Sequence, residues 1–148
     1  MNYHEDKRDL FSTDNRYVLA HCISADFALG AGIAKAFARM GVKAELLKNY
    51  PMGKWKGNGY CLYTNAGMGQ HKGVLNLVTK QFYYHKPTYD TLRQALYDMK
   101  AQCIGNGIKA VAMPKIASGL DKLEWNQVSA IIQELFADTD IEILVCIK

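Results

Sequence analysis

"RYVLAHCISADFALGAGIAKAF", residues 16–37, joins a β-type apolar run to a short amphipathic helix through a loop with glycines at 30 and 32. Apolar residues dominate 16–24, and Ile33, Ala34, Phe37 and Ala38 then share one face of a helix expected over about 32–40, with Gly41 just past its end. The unit is strand, loop, helix. The loop is not a Walker A, because no Gly-Lys-Ser/Thr follows, and Lys35 stands where a dinucleotide fingerprint needs its third small residue. Its physics still suits an anion: glycines let backbone N–H groups approach closely, and a helix N-terminus adds unpaired donors and partial positive charge. Alone, the loop reads equally well as a plain turn.

Outward from this unit, the alternation continues. A second short helix from residue 44 leads into a loop with Pro51, Gly53, Gly57 and Asn58. Strands are expected at 59–64 and 73–79 as antiparallel neighbours across the turn-rich "NAGMGQHK" at 65–72. Thr88 can cap a helix whose Leu92, Ala95, Leu96 and Met99 lie on one face, ended by Gly105 or Gly107. A strand at 108–114, a helix at about 124–137 and a last strand at 141–147 complete the chain. This pattern predicts one domain over 1–148, with a mostly parallel sheet covered on both faces and ligands at the carboxyl ends of its strands.

Composition sets limits. The 148 residues are 49% apolar and 22% charged with a net charge of +4, which describes a globular chain mildly attractive to anions rather than a dedicated nucleic-acid binder. No apolar run reaches about 18 residues, and the N-terminal "MNYHEDKRDLF" lacks the apolar core of a signal peptide, so a cytoplasmic monomer without membrane contact is expected. Cys22, Cys61, Cys103 and Cys146 stand apart in or beside apolar runs and are expected to be buried free thiols. The four histidines form no ligand-spaced pairing, so no metal and no cofactor is expected.

The second candidate loop is "PKIASGLDKLEW", 114–125, again strand to helix through small residues, and two such loops on one sheet could grip both phosphates of a diphosphate. Asp121 with Glu124 also matches a capping box, so cap and catalyst are both open for Asp121. Lys80 ends a strand, where sites in such sheets form. Beside it, "KQFYYHKP" (80–87) mixes rings with bases; Phe82, Tyr83 and Tyr84 suit either stacking on a nucleobase or packing in the core.

Five segments, "RDLF" (8–11), "AHCISADFALGAGIAKAF" (20–37), "LVTK" (77–80), "HKPTYDTL" (85–92) and "MPKIASGLDKLEW" (113–125), keep the order and spacing of the macrodomain family. The chain resembles the branch containing the terminal ADP-ribose protein glycohydrolase. That resemblance implies a three-layer α/β/α sandwich with a mixed sheet and an ADP-ribose pocket. It implies that Asp9 accepts from the adenine amino group with the Leu10 N–H nearby, and that His21, Ser24, Gly30, Ala31, Gly32 and Ile33 line the diphosphate and distal ribose. Lys115, Ile116, Ala117, Ser118, Gly119 and Leu120 would wrap the phosphates from the other side. A side chain at Gly32 is then expected to weaken binding with the fold intact.

In that branch a lysine attacks the anomeric carbon and an aspartate moves the protons, roles that fall on Lys80 and Asp121. A lysine attacks only as the free amine, which desolvation favours, while a neighbouring carboxylate stabilises the ammonium; the aspartate is therefore useful as general acid or base. The "NAAN"-like motif of water-activating macrodomains is replaced by "HCIS" (21–24). The implied reaction removes ADP-ribose from a glutamate or aspartate ester on protein or from a nucleobase on DNA. Competing readings are an ADP-ribose 1''-phosphate phosphatase, an O-acetyl-ADP-ribose deacetylase, a non-catalytic ADP-ribose reader, and a general nucleic-acid binder.

Overall fold

The computed structural model describes residues 1–51, 54–65 and 73–148. Within them the strands are β1 (Asn2–Lys7), β2 (Val18–Ser24), β3 (Tyr60–Thr64), β4 (Val74–Lys80), β5 (Ala110–Met113) and β6 (Glu142–Ile147). The α-helices are α1 (Ile33–Arg39), α2 (Val42–Asn49), α3 (Tyr89–Asn106) and α4 (Trp125–Phe136). Strand order is β1-β6-β5-β2-β4-β3, with β3 antiparallel to β4 and the other neighbours parallel. Only Asn65 of the expected 65–72 turn, and all but Gly53 among the named residues of the loop after α2, fall within the described residues.

The period of two in the strands sorts their side chains into two cores. Ala20, Leu75, Leu77, Val111, Met113, Ile143 and Val145 meet Leu92, Leu96 and Met99 of α3 and Val128, Ile132 and Phe136 of α4. Leu19, Ile23, Val74, Val78, Ala112 and Leu144 face the opposite way, toward Phe37, Val42 and Leu46 of α1 and α2. Each such fully buried side chain contributes about 1.5–3 kcal/mol of transfer free energy. The result is helices, sheet, helices, as the sequence pattern implies.

The N-terminal strand is the element the sequence conceals. β1 pairs with β6 from Asn2↔Glu142 to Lys7↔Ile147, yet only Tyr3 of its six residues is even half-buried. An edge strand with one weakly packed face shows no apolar alternation, and its charges discourage pairing with another chain. Among the described residues no helix is long and apolar enough to cross a membrane. The four cysteines are free thiols, three of them buried and Cys22 half-buried.

At the other edge, β3 is covered by a polar stripe of α3. The Gly59 N–H donates to Gln94 Oε1 at 2.8 Å, the Cys61 N–H to Asp98 Oδ2 at 2.8 Å, and Gln102 Nε2 donates to the Cys61 carbonyl at 2.5 Å. Residues 94, 98 and 102 lie four apart, on one helix face. Thr88 caps α3 as expected, in a reciprocal box with Thr91, and Gly107 ends it in the left-handed region at φ 67°. This close approach of strand and helix requires glycine at 59, where a Cβ would stand 1.9 Å from the Thr91 carbonyl oxygen. Gly59→Ala is therefore expected to destabilise the fold by about 1–3 kcal/mol, read from urea denaturation; an unchanged midpoint would contradict this packing.

Candidate active site

The ends of β2, β4 and β5 converge on one rim of the sheet. Between β2 and β4 the register runs Ile23↔Val78 and then Ser24↔Lys80, so Thr79 is an extra residue, a bulge one step before Lys80. Bulges re-aim the side chains beside them. Here Lys80 Nζ donates to Asp121 Oδ1 at 2.7 Å, with both side chains only 14% exposed.

That contact corrects the capping reading of Asp121. The N-cap of α4 is Glu124, which makes no side-chain capping bond. Its backbone N–H instead donates to Tyr89 Oη at 2.9 Å. Asp121 lies three residues ahead of the cap and is turned back toward β4. Lys86 Nζ adds a further tie, donating to the Leu120 carbonyl at 2.6 Å.

Both candidate loops hold non-glycine residues in the left-handed region. In the first these are Phe27 (φ 54°) and Leu29 (φ 43°), and in the second Ala117 (φ 62°) and Lys122 (φ 65°). Such conformations cost about 1–3 kcal/mol each and persist only where the surroundings dictate them. Phe27 and Leu29 are anchored by burial, at 1% and 6% exposure. Asp26 fastens the same loop: Oδ1 accepts from Ser24 Oγ at 2.5 Å and the Ala28 N–H at 3.1 Å, and Oδ2 accepts from the Tyr83 N–H at 3.0 Å. Gly30, Ala31 and Gly32 are left exposed, with Ile33 half-buried. Because α1 has only seven residues, the loop's own N–H groups matter more here than a helix dipole.

The second loop is built alike. Ile116 and Ala117 are buried in the α3/α4 core, Ser118 Oγ donates to the Lys115 carbonyl at 3.0 Å, and the Leu123 N–H donates to the Ala117 carbonyl at 2.9 Å. Lys115, Gly119 and Leu120 are exposed. The two loops face each other: a Cβ on Gly32 would lie 3.8 Å from Leu120 Cδ1. Gly32 itself has φ 59° and ψ −144°, a conformation nearly restricted to glycine. The expectation that Gly32 accepts a side chain with the fold intact is thereby corrected, since any replacement strains the backbone.

Other expected residues fall into three groups. Asp9, exposed beyond the end of β1, accepts from the Phe11 N–H at 3.3 Å and caps the short turn Leu10–Ser12, in which Leu10 is buried. Ser24 is buried and engaged by Asp26. His21 is a correction: it has no exposed surface, so it cannot line a ligand. Its ring lies 4.0 Å from that of Phe37, and Nε2 donates to Asn76 Oδ1 at 2.6 Å while Nδ1 has no partner. Asn76 is oriented by donating to the Leu62 carbonyl, Thr64 Oγ1 and the Val74 carbonyl. Asp26 and Asn76 are the supporting residues that sequence reasoning missed; a polar residue inside the apolar run "GVLNLVT" was the available signal for Asn76. Cys22 lies close enough to sense the pair: burial, then the Asp121 carboxylate, push its thiol up, so it stays neutral.

The sequence matches the Macro domain family over residues 20–132. The chain belongs to the macrodomain family. The protein named ADP-ribose glycohydrolase OARD1 from Bos taurus is 42% identical over 140 residues, covering 94% of this chain and 87% of that protein. Its Homo sapiens counterpart is 41% identical over the same shares. The macrodomain of Thermus aquaticus DarG has the same fold, with a TM-score of 0.77 at 19% identity over 97% of both chains. So does Thermosipho africanus DarTG in complex with ADP-ribose, with a TM-score of 0.71 at 18% identity over 99% of this chain and 42% of that one.

Burial pushes the His21 pKa down to about 4 from 6.5, against the upward pull of Asn76. The unfolded chain therefore takes up a proton between these values that the fold refuses. Stability is expected to be insensitive to this group above pH 6.5 and to fall as pH drops from 6.5 toward about 4. Urea midpoints across that window should decline less steeply in His21→Gln; an equal slope would contradict the assignment.

Proposed function

We propose that this macrodomain binds ADP-ribose across the carboxyl ends of its strands and removes it from a modified acceptor, with Lys80 as nucleophile and Asp121 as general acid and base. The carrying observation is the half-buried contact of 2.7 Å between these two side chains, placed where both loops meet. Strand order supports the ligand's span. Asp9 follows β1 and Lys80 ends β4, four strand spacings away, or roughly 19 Å, with the loops from β5 and β2 between them. An extended dinucleotide would put adenine near Asp9, the diphosphate between the loops and the distal ribose at Lys80. The glycohydrolase relatives and the ADP-ribose complex of a fold neighbour point the same way.

The chemistry balances with these two residues and water. Asp121 takes a proton from the Lys80 ammonium, and the free amine attacks the anomeric carbon, forming a C–N bond as the bond to the acceptor oxygen or nitrogen breaks. The departing acceptor receives the proton from Asp121. Asp121, again a carboxylate, then takes a proton from water attacking the same carbon. The C–N bond breaks, Lys80 regains its proton, and ADP-ribose is released. Acceptors fitting this scheme are glutamate or aspartate esters on protein and nucleobases on DNA.

Lys80→Ala and Asp121→Ala are each expected to slow ADP-ribose release from both substrate types by about a hundredfold or more. Denaturing mass spectrometry of wild type quenched during turnover should show ADP-ribose on the peptide carrying Lys80. Full activity in both variants would sink this mechanism, and calorimetric binding without turnover of any substrate by wild type would make the protein a reader. For the loops, Gly119 has open space beside it, so Gly119→Glu should weaken ADP-ribose binding at unchanged stability. Wild-type affinity in that variant would remove the second loop from the site.

A further inference from the structure

The segment "KQFYYHKP" has no task in the catalytic pair beyond Lys80, yet it presents an ordered aromatic surface. Phe82, Tyr83 and Tyr84 are 37%, 65% and 65% exposed, unusual for large rings. Phe82 and Tyr84 stack at 5.6 Å with 8° between their planes, and Tyr83 meets Tyr84 edge-on at 5.3 Å. The backbone beneath is fixed by Asp26 on the Tyr83 N–H and by the His85 N–H donating to the Phe82 carbonyl at 2.9 Å. These rings therefore form a preformed platform.

Beside the platform opens a cavity of about 330 Å³, walled by Trp55, His85 and Lys86 and floored by Thr79, Gln81 and Thr91. It borders the candidate site through Lys80, the bulge residue Thr79 and Lys86. Thr79, the bulge residue, is 1% exposed and its Oγ1 has no hydrogen-bond partner. A buried hydroxyl left unpaired is unfavourable, and this one lies beneath the cavity wall with almost no surface of its own. Lys86 lines the opening, exposed and donating to the Leu120 carbonyl, and Lys54 and Lys56, both exposed, flank Trp55 in the chain. Rings for stacking and cations for phosphates are the parts of a single-strand binding surface.

We propose that this cavity and its aromatic rim are a strand-binding subsite that holds an unpaired nucleotide neighbouring the ADP-ribosylated one. The base lies against Trp55 and His85, and the adjoining strand crosses Tyr83 and Tyr84. A cavity of this size is at the small end for ligands and holds one nucleoside. An acidic peptide would use the lysines but leave the rings idle. The inference deepens the proposed reaction, and rests on it only for which substrate is turned over.

Two measurements test it. In fluorescence anisotropy with a labelled, unmodified single-stranded DNA, Trp55→Ala and the exposed double variant Tyr83→Ala/Tyr84→Ala should each weaken binding by about fivefold or more. Wild-type binding should weaken with rising salt. In kinetics, both variants should raise KM for ADP-ribosylated single-stranded DNA while leaving turnover of an ADP-ribosylated glutamyl peptide unchanged. The binding arm needs no catalysis, so it stands even if Lys80 and Asp121 prove inert. Wild-type strand affinity in both variants, no strand binding by wild type, or preference for a polyglutamate peptide over the strand would each overturn the subsite.

Discussion

The contact between Lys80 and Asp121 is the constraint around which the site is arranged. β4 and β5 are not neighbours; β2 lies between them. For a residue after β5 to reach the end of β4, the second loop must arch over the end of β2, next to the first loop. The Coulomb attraction holding it there is strengthened by the low exposure of both groups. Lys86 on the Leu120 carbonyl and the Glu124 N–H on Tyr89 Oη run parallel to it. Three ties thus join the same two segments, and the opposing position of Leu120 and Gly32 follows from them.

Much of the fold was legible because its signals are local. Strands buried on both faces read as continuous apolar runs, and Leu92, Ala95, Leu96 and Met99 declare the helix they occupy. Boundaries differ from expectation by one or two residues, as fraying and capping dictate. β1 was not legible, since its stability comes from backbone pairing with β6 rather than from burial of its own side chains. The stripe Gln94, Asp98 and Gln102 looked like ordinary solvated polar residues because nothing local reveals a sheet edge beside them.

The site was legible as a set of loops rather than as roles. Lys80 and Asp121 are brought together as the family resemblance implies, although spacing alone left Asp121 open between cap and catalyst. Spacing leaves the choice open because α4 begins one turn later, at Glu124, and only the tertiary attraction of Lys80 decides which way Asp121 turns. His21 was placed at the ligand by the resemblance alone; Phe37 of α1 closes over it, a tertiary contact that no local pattern in the sequence reveals. Asp26 escaped notice since its partners include the Tyr83 N–H, 57 residues away in sequence.

Phe27 and Leu29 join the interior to the surface in an unusual way, with side chains in the α1/α2 core and backbones in the exposed loop. Freezing a loop is usually charged to the moment a ligand arrives, as lost entropy. Here the folding reaction has already absorbed it. Affinity and thermal resilience are therefore coupled through the same side chains: a cavity beneath Phe27 would loosen the loop's shape as well as the core, and repacking far from any ligand would register as a change in recognition.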